Sequence, residues 1–296
     1  MRAFPDPPIV GFNFSGNGAF ASDSYWKAVE YLHTFLPKFN EAGGSMYYYL
    51  VPDNPVAGKR VSTFYASGGF ANHSSTAEVN KLMKPFIEKL GNITGSPLNY
   101  TATYYPKATG LYTETFHDAD SAGIPAILGS RLMTRDLLKS ADGPKKLTDA
   151  LRSLKTIPGN KPSGQQSIQG LVTAGPQVWA NSDVDSALHP IWRQTQVHVA
   201  FVRGWEVDAP VSEQFKIQKN MTQVEVPILK KLDTTAVGGA YLNEADAYDP
   251  DFRSTFWGPN YPRLAQIKQK WDPEGLFIVR SGVGSEHWDE EGLCPK

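Results

Sequence analysis

One histidine is the first candidate for chemistry. Residues 195–205 read as a strand rich in β-branched and aromatic side chains, and alternate side chains on a strand share a face. Gln196, His198 and Ala200 then fall on one face, and Val197, Val199 and Phe201 on the other. The first face is the expected pocket wall, because buried polar groups need a purpose or a partner. An imidazole that titrates near neutrality suits general-base work. A hydrogen-bonded sheet histidine is the competing reading.

Other arrangements fail on their spacing. The remaining histidines lie at 33, 73, 117, 189 and 287, and none forms H-E-x-x-H. The chain has one cysteine, Cys294, so no Cys/His cluster supports zinc and no metal site is expected. His117, Asp118 and Asp120 are better read as an exposed polar loop than as cation ligands. Gly16, Gly18 and Ala21 match G-x-G-x-x-A, but no βαβ pattern follows and no ribose-binding acid stands at the right distance. A tight glycine turn is expected there. No G-x-S-x-G elbow anchors a serine hydrolase.

The elements that must position His198 come in a mixed order. Strands are expected at 9–14, 45–51, 61–66, 99–105, 168–173 and 197–205, with a short one at 240–243. Helices are expected at 23–40, 76–90, 144–154 and 261–271, with a mainly helical stretch at 212–232 interrupted near Pro227. Pro37 and Pro85 should bend or shorten their helices. Residues 158–166 read as a polar loop. The order is not a regular βαβ alternation. The expected class is α+β, a mostly antiparallel sheet covered by helices on one face, with a C-terminal helix and an extended tail.

Composition narrows the partners. With 41% hydrophobic and 20% charged residues, the chain can bury a core. Its formal net charge of −1 and the lack of a basic run give no sign of nucleic acid. No stretch of 18 apolar residues predicts a membrane span, and residues 1–5 lack the apolar centre of a signal peptide. Asn-x-Ser/Thr acceptors at Asn13, Asn72, Asn92, Asn99 and Asn220 nevertheless point to a secreted parent protein.

The most informative stretch is 241–246 (YLNEAD), 251–264 (DFRSTFWGPNYPRL), then Ile267, Lys268 and 271–277 (WDPEGLF). Read physically, it is a strand end, an aromatic loop and a delimited helix. Asn260 is an N-cap candidate, and Pro262 sits where its missing N–H costs nothing. Leu264, Ile267 and Trp271 form one apolar stripe.

These fixed spacings resemble the C-terminal signature of berberine-bridge-enzyme-like proteins, in the vanillyl-alcohol-oxidase group of flavoproteins. The ending 281–294 resembles that of fungal members. The resemblance implies residues 9–239 as a substrate-binding domain and 240–296 as the family's C-terminal segment. It implies 1–8 as the end of a flavin-binding domain otherwise absent, which would be this chain's partner.

The resemblance further implies hydride transfer from a substrate C–H or alcohol to FAD, with dioxygen reoxidising the flavin. It places a small-molecule substrate over the sheet. His198 becomes a candidate base. Glu244 stands where many relatives have a tyrosine facing the reacting centre, and a carboxylate there is expected to hold its proton tightly; an exposed salt bridge is the competing reading. Asn260 and Tyr261 match a flavin-contacting pair, and Tyr241 and Asn243 a pocket wall. A non-catalytic remnant unable to hold FAD alone is the alternative.

Overall fold

The computed structural model describes residues 5–115, 125–154, 167–235, 238–289 and 292–296. The loops expected at 117–120 and 158–166, and the segment 1–4, lie outside the described residues.

Seven strands form one sheet: β1 (Ile9–Ala19), β2 (Gly44–Val56), β3 (Lys59–Ala71), β4 (Asn99–Tyr105), β5 (Ala126–Thr134), β6 (Ile168–Val172) and β7 (Thr195–Gly204). Their order is β4-β1-β3-β2-β6-β7-β5, and all neighbours pair antiparallel. The helices are α1 (Asp23–Glu41), α2 (Thr76–Thr94), α3 (Ala108–Thr115), α4 (Arg135–Lys139), α5 (Gly143–Ser153), α6 (Pro176–Ala180), α7 (Val211–Asn220), α8 (Val226–Lys230) and α9 (Tyr261–Trp271). The α+β class expected from the sequence is what the chain adopts.

Strand alternation decides which face is covered. Val10, Phe12 and Phe14 of β1, Met46, Tyr48 and Leu50 of β2, and Phe64 and Phe70 of β3 point to one side and are buried. They meet Val29, Leu32, Leu36 and Phe39 of α1 and Met83, Phe86 and Leu90 of α2. Phe35 and Phe86 stack between the two helices at 4.0 Å. Pro37 neither bends α1 short nor ends it, because buried residues on both sides of it hold the helix to Glu41. Pro85 likewise lies inside α2.

A buried network ties α1, α5 and β2 together. Thr148 Oγ donates to the carbonyl of Pro144, so it must accept from His33 Nδ1 at 2.9 Å. His33 Nε2 then accepts from the Tyr48 hydroxyl at 3.0 Å. Burial pulls the His33 pKa down to about 3, so the ring is neutral. Tyr48 reaches this place by passing under Gly170, where a Cβ would lie 1.9 Å from its ring.

The opposite face is open over much of its width. Tyr47 and Tyr65 are about two-fifths exposed, and Tyr49 stacks on Tyr65 at 4.6 Å. On this side Leu111 of α3 lies over Gly11, beside a groove of about 470 Å³ that Ile9 and Tyr47 also line. The glycines of the G-x-G-x-x-A match, Gly16 and Gly18, are strand residues of β1 rather than a phosphate loop.

Candidate active site

β7 carries His198 on the open side of the sheet. Val197, Val199 and Phe201 belong to the core under the helices, and His198 alternates with them. Its backbone partners are Leu132 of β5 and Leu171 of β6, so two strands wall it in. The ring is 1% exposed and its Nε2 has no hydrogen-bond partner among the described residues.

Gln196 does not share that face, which corrects the expectation from simple alternation. Met133 pairs with Val197, but Thr134 pairs with Thr195, leaving Gln196 as the extra residue of a bulge. The bulge resets the side-chain parity. Gln196 therefore points to the helix side, where its amide donates to Asn40 Oδ1 at 3.0 Å and to the Leu36 carbonyl at 3.5 Å.

The segment after residue 238 closes over the edge of β5. Leu132 N–H donates to the Gly239 carbonyl, and Ala240 N–H to the Thr255 carbonyl. The strand expected at 240–243 is instead one extended residue, Tyr241, followed by the 3₁₀ turn Leu242–Glu244. This turn delivers Glu244. Its Oε2 lies 3.5 Å from His198 Nδ1, beyond good hydrogen-bond length, and is itself buried without a donor among the described residues.

Burial sets the electrostatics of this pair. It lowers the His198 pKa to about 4 and raises that of Glu244 above the ordinary carboxylate value. Their proximity favours the charged pair, while desolvation drives each toward its neutral form. The raised Glu244 pKa was expected under a flavin; burial by the protein already supplies it.

Tyr241 and Trp192 complete an aromatic box. Tyr241 stands edge-on to His198 at 5.9 Å and to Trp192 at 5.9 Å. Its hydroxyl accepts from Asn243 Nδ2 at 2.9 Å. The structure thus brings together His198, Glu244, Tyr241 and Asn243 of the residues named from the sequence.

Asn260 and Tyr261 serve neighbouring segments. Asn260 is no side-chain cap: its backbone is already helical, and its amide nitrogen donates to the Leu188 carbonyl at 2.9 Å. The Tyr261 hydroxyl donates to Glu286 and accepts from Gly284 N–H at 3.1 Å. Burial beside Glu286 pushes its pKa up to about 12.

Three contributors escaped the sequence reading. His189 caps the 3₁₀ turn Pro190–Gln194 that holds Trp192, accepting from Ile191 N–H at Nδ1 and donating from Nε2 to the Ser254 carbonyl. Ser130 lies on β5, a strand not expected because residues 126–134 are packed on both faces and lack alternation.

Residues 240–284 match the family described as berberine and berberine like. The chain is 39% identical over 303 residues to an uncharacterized FAD-linked oxidoreductase of Arthroderma benhamiae, across 99% of this chain and 49% of that protein. It is 32% identical to the FAD-linked oxidoreductase malF of Malbranchea aurantiaca, across all of this chain and 48% of that protein. Its fold superposes on the crystal structure of the VAO-type flavoprotein MtVAO713 from Myceliophthora thermophila with a TM-score of 0.85 at 24% identity, covering 98% of this chain and 51% of that one. The chain thus spans about half the length of the curated relatives it matches. It carries a berberine-and-berberine-like segment at residues 240–284 and is similar along its whole length to one half of FAD-linked oxidoreductases.

Proposed function

We propose that this chain is the substrate-binding part of an FAD-dependent oxidase that takes hydride from a substrate C–H or alcohol, with dioxygen as the final acceptor. The observation that carries the proposal is a neighbouring imidazole and carboxyl, His198 and Glu244, whose buried atoms Nε2 and Oε2 have no hydrogen-bond partner among the described residues. Buried polar groups are normally satisfied, so a polar ligand is their natural partner. FAD would supply the hydride acceptor. This chain's own contribution is to hold the substrate against the Tyr241 ring and Asn243, and to take its proton at the His198–Glu244 pair.

The site suits such chemistry, since an imidazole and a carboxyl stand 3.5 Å apart there. Asn260 and Tyr261 would help less directly, by fixing the backbone at 186–188 and at 284–286. An FAD-binding domain would be the partner that covers the open face. The exposed Trp271, Leu276 and Phe277, each about three-quarters exposed or more, support a further covering surface at the C-terminal segment. Secretion of the whole protein is supported by Asn72 and Asn92, whose side chains are exposed away from the open sheet face.

The test is flavin retention. The chain is desalted after incubation with FAD, alone and together with the preceding half of a whole relative. Bound yellow absorbance is expected only with both parts. Retention by neither would sink the oxidase reading and favour a non-catalytic remnant.

A further inference from the structure

We infer that the groove on the open sheet face binds a flat, uncharged ring system, so that its ligand is a neutral aromatic molecule and not a sugar. The inference rests on the proposed oxidase function only for calling that ligand the substrate.

The groove follows from the register of three strands. Gly11 of β1 pairs with Gly69 of β3, and Gly69 with Ser45 of β2. All three alternate with core residues, so they face the open side. Two have no side chain and the third has a single hydroxyl, so the sheet surface is low along this row. Ser67 and Tyr47, which pair with each other, stand on one side of it. Ile9 and Ala71, likewise paired, stand on the other. These two rows are four residues apart along a strand, roughly 13 Å at Cα. Leu111 of α3 lies over Gly11 and closes one end. The space enclosed is about 470 Å³, a size that suits one small molecule.

The other end runs toward the candidate site. Tyr47 pairs with Leu171 of β6, and Leu171 with His198 of β7. Tyr47 and His198 therefore share one row of the open face, two strand spacings or roughly 10 Å apart. Thr173, just past β6, lines the groove on this side. A ligand whose rings lie in the groove reaches His198 by crossing one strand.

The lining selects the ligand. Among the described residues, no charged side chain lines the groove. An ion entering it would lose water and gain no counter-charge. Ile9, Ala71 and Leu111 supply apolar surface, and the Tyr47 ring, 41% exposed, supplies an aromatic wall. A second ring packs well against such a wall, offset or edge-on. The side-chain oxygens are hydroxyls alone, from Ser45, Ser67, Thr173, Tyr47 and Tyr49. They can answer a few ligand oxygens, as donors or acceptors. A sugar chain carries hydroxyls around every ring, and those set against Ile9, Ala71 and Leu111 would stay unpaired.

The test is calorimetric titration of the chain itself. Coumarin is the probe, coumarin-3-carboxylate adds a charge to the same rings, and cellobiose supplies a sugar. Coumarin should bind about tenfold or more tightly than its carboxylate, and cellobiose should give no heat. Ser45 is exposed, so Ser45→Phe fills the groove at little risk to the fold and should weaken coumarin about tenfold or more. Tyr47→Ala should weaken it about tenfold through loss of the aromatic wall. Phe215→Ser, at an exposed ring of α7 away from the sheet face, should leave the affinity unchanged. Thermal melts check that each variant folds. No binding of coumarin, equal binding of its carboxylate, tighter binding of cellobiose, or full affinity in Ser45→Phe would each overturn the inference. Flavin is absent from these titrations, so the groove can fail while flavin retention succeeds, or the reverse.

Discussion

The imidazole of His189 occupies the space that a side chain at Gly258 would need: a Cβ there would lie 2.7 Å from the ring. Gly258 also has φ of +57° and ψ of −142°, a conformation essentially confined to glycine. The glycine of the W-G-x-N motif thus keeps His189 in place, and His189 holds the turn that carries Trp192. Gly258→Ala should cost about 3 kcal/mol or more from strain and overlap together. Chemical denaturation checks this; a variant as stable as the parent would show that the turn can move aside.

The His198–Glu244 pair predicts the acid limb of activity. Glu244 holds its proton above the ordinary value of 4.5, so it loses its capacity to accept one as pH falls through that raised value. In the flavin-loaded whole protein, kcat/KM should decline on a limb above pH 4.5. Glu244→Gln should lower kcat/KM by about 10²–10⁴ and leave a limb nearer 4, where His198 titrates. A pH profile unchanged in the variant would remove Glu244 from proton transfer.

Gln196 should matter for folding and not for ligands. Its amide joins β7 to α1 through Asn40 and Leu36. Gln196→Ala is expected to lower stability by about 1–3 kcal/mol, because it strands buried groups. In the flavin-loaded whole protein kcat/KM should not change. A lowered kcat/KM without loss of stability would return Gln196 to the pocket.

Acid should unfold the protein through its buried histidines. His33 and His198 have folded values of about 3 and about 4, both below the ordinary 6.5. The unfolded chain therefore binds more protons as pH drops. Their contribution is fully present above 6.5 and is lost as pH falls toward 3, at about 1.4 kcal/mol per unit of depression. Glu244 works in the opposite sense, but it is partly exposed and its effect is smaller. Urea midpoints at pH 7.5, 5.5 and 4.5 should fall in that order, with a shallower decline in His33→Gln. A flat series would mean that these rings take up protons without unfolding.

Local pattern carried the reading of the fold, and its failures have physical causes. α9 and β4 begin and end where their periodicity says, and α1 and α2 differ only at their C-termini, where packing extends them past the expected stop. β5 was invisible because a strand covered on both sides has no alternation to display. Gln196 was assigned to the wrong face because a bulge depends on the partner strand, which no single strand's pattern records. Asn260 has the composition of a cap, but the carbonyl of Leu188, 72 residues earlier in the chain, claims its amide. His198 and Glu244, grouped from residue chemistry and motif spacing, lie side by side in the structure.

The crossing of residues 239–244 over the edge of β5 also orders events during synthesis. Every strand of the sheet has been made once Gly204 is added, yet His198 then has no Glu244 beside it. Tyr241 and Glu244 follow some forty residues later, and His189 gains its contact with Gly258 later still. A chain emerging from the ribosome therefore finishes its framework well before its chemistry. A chain ended just after α8 would hold every strand and the core helices, with His198 lacking Glu244 beside it.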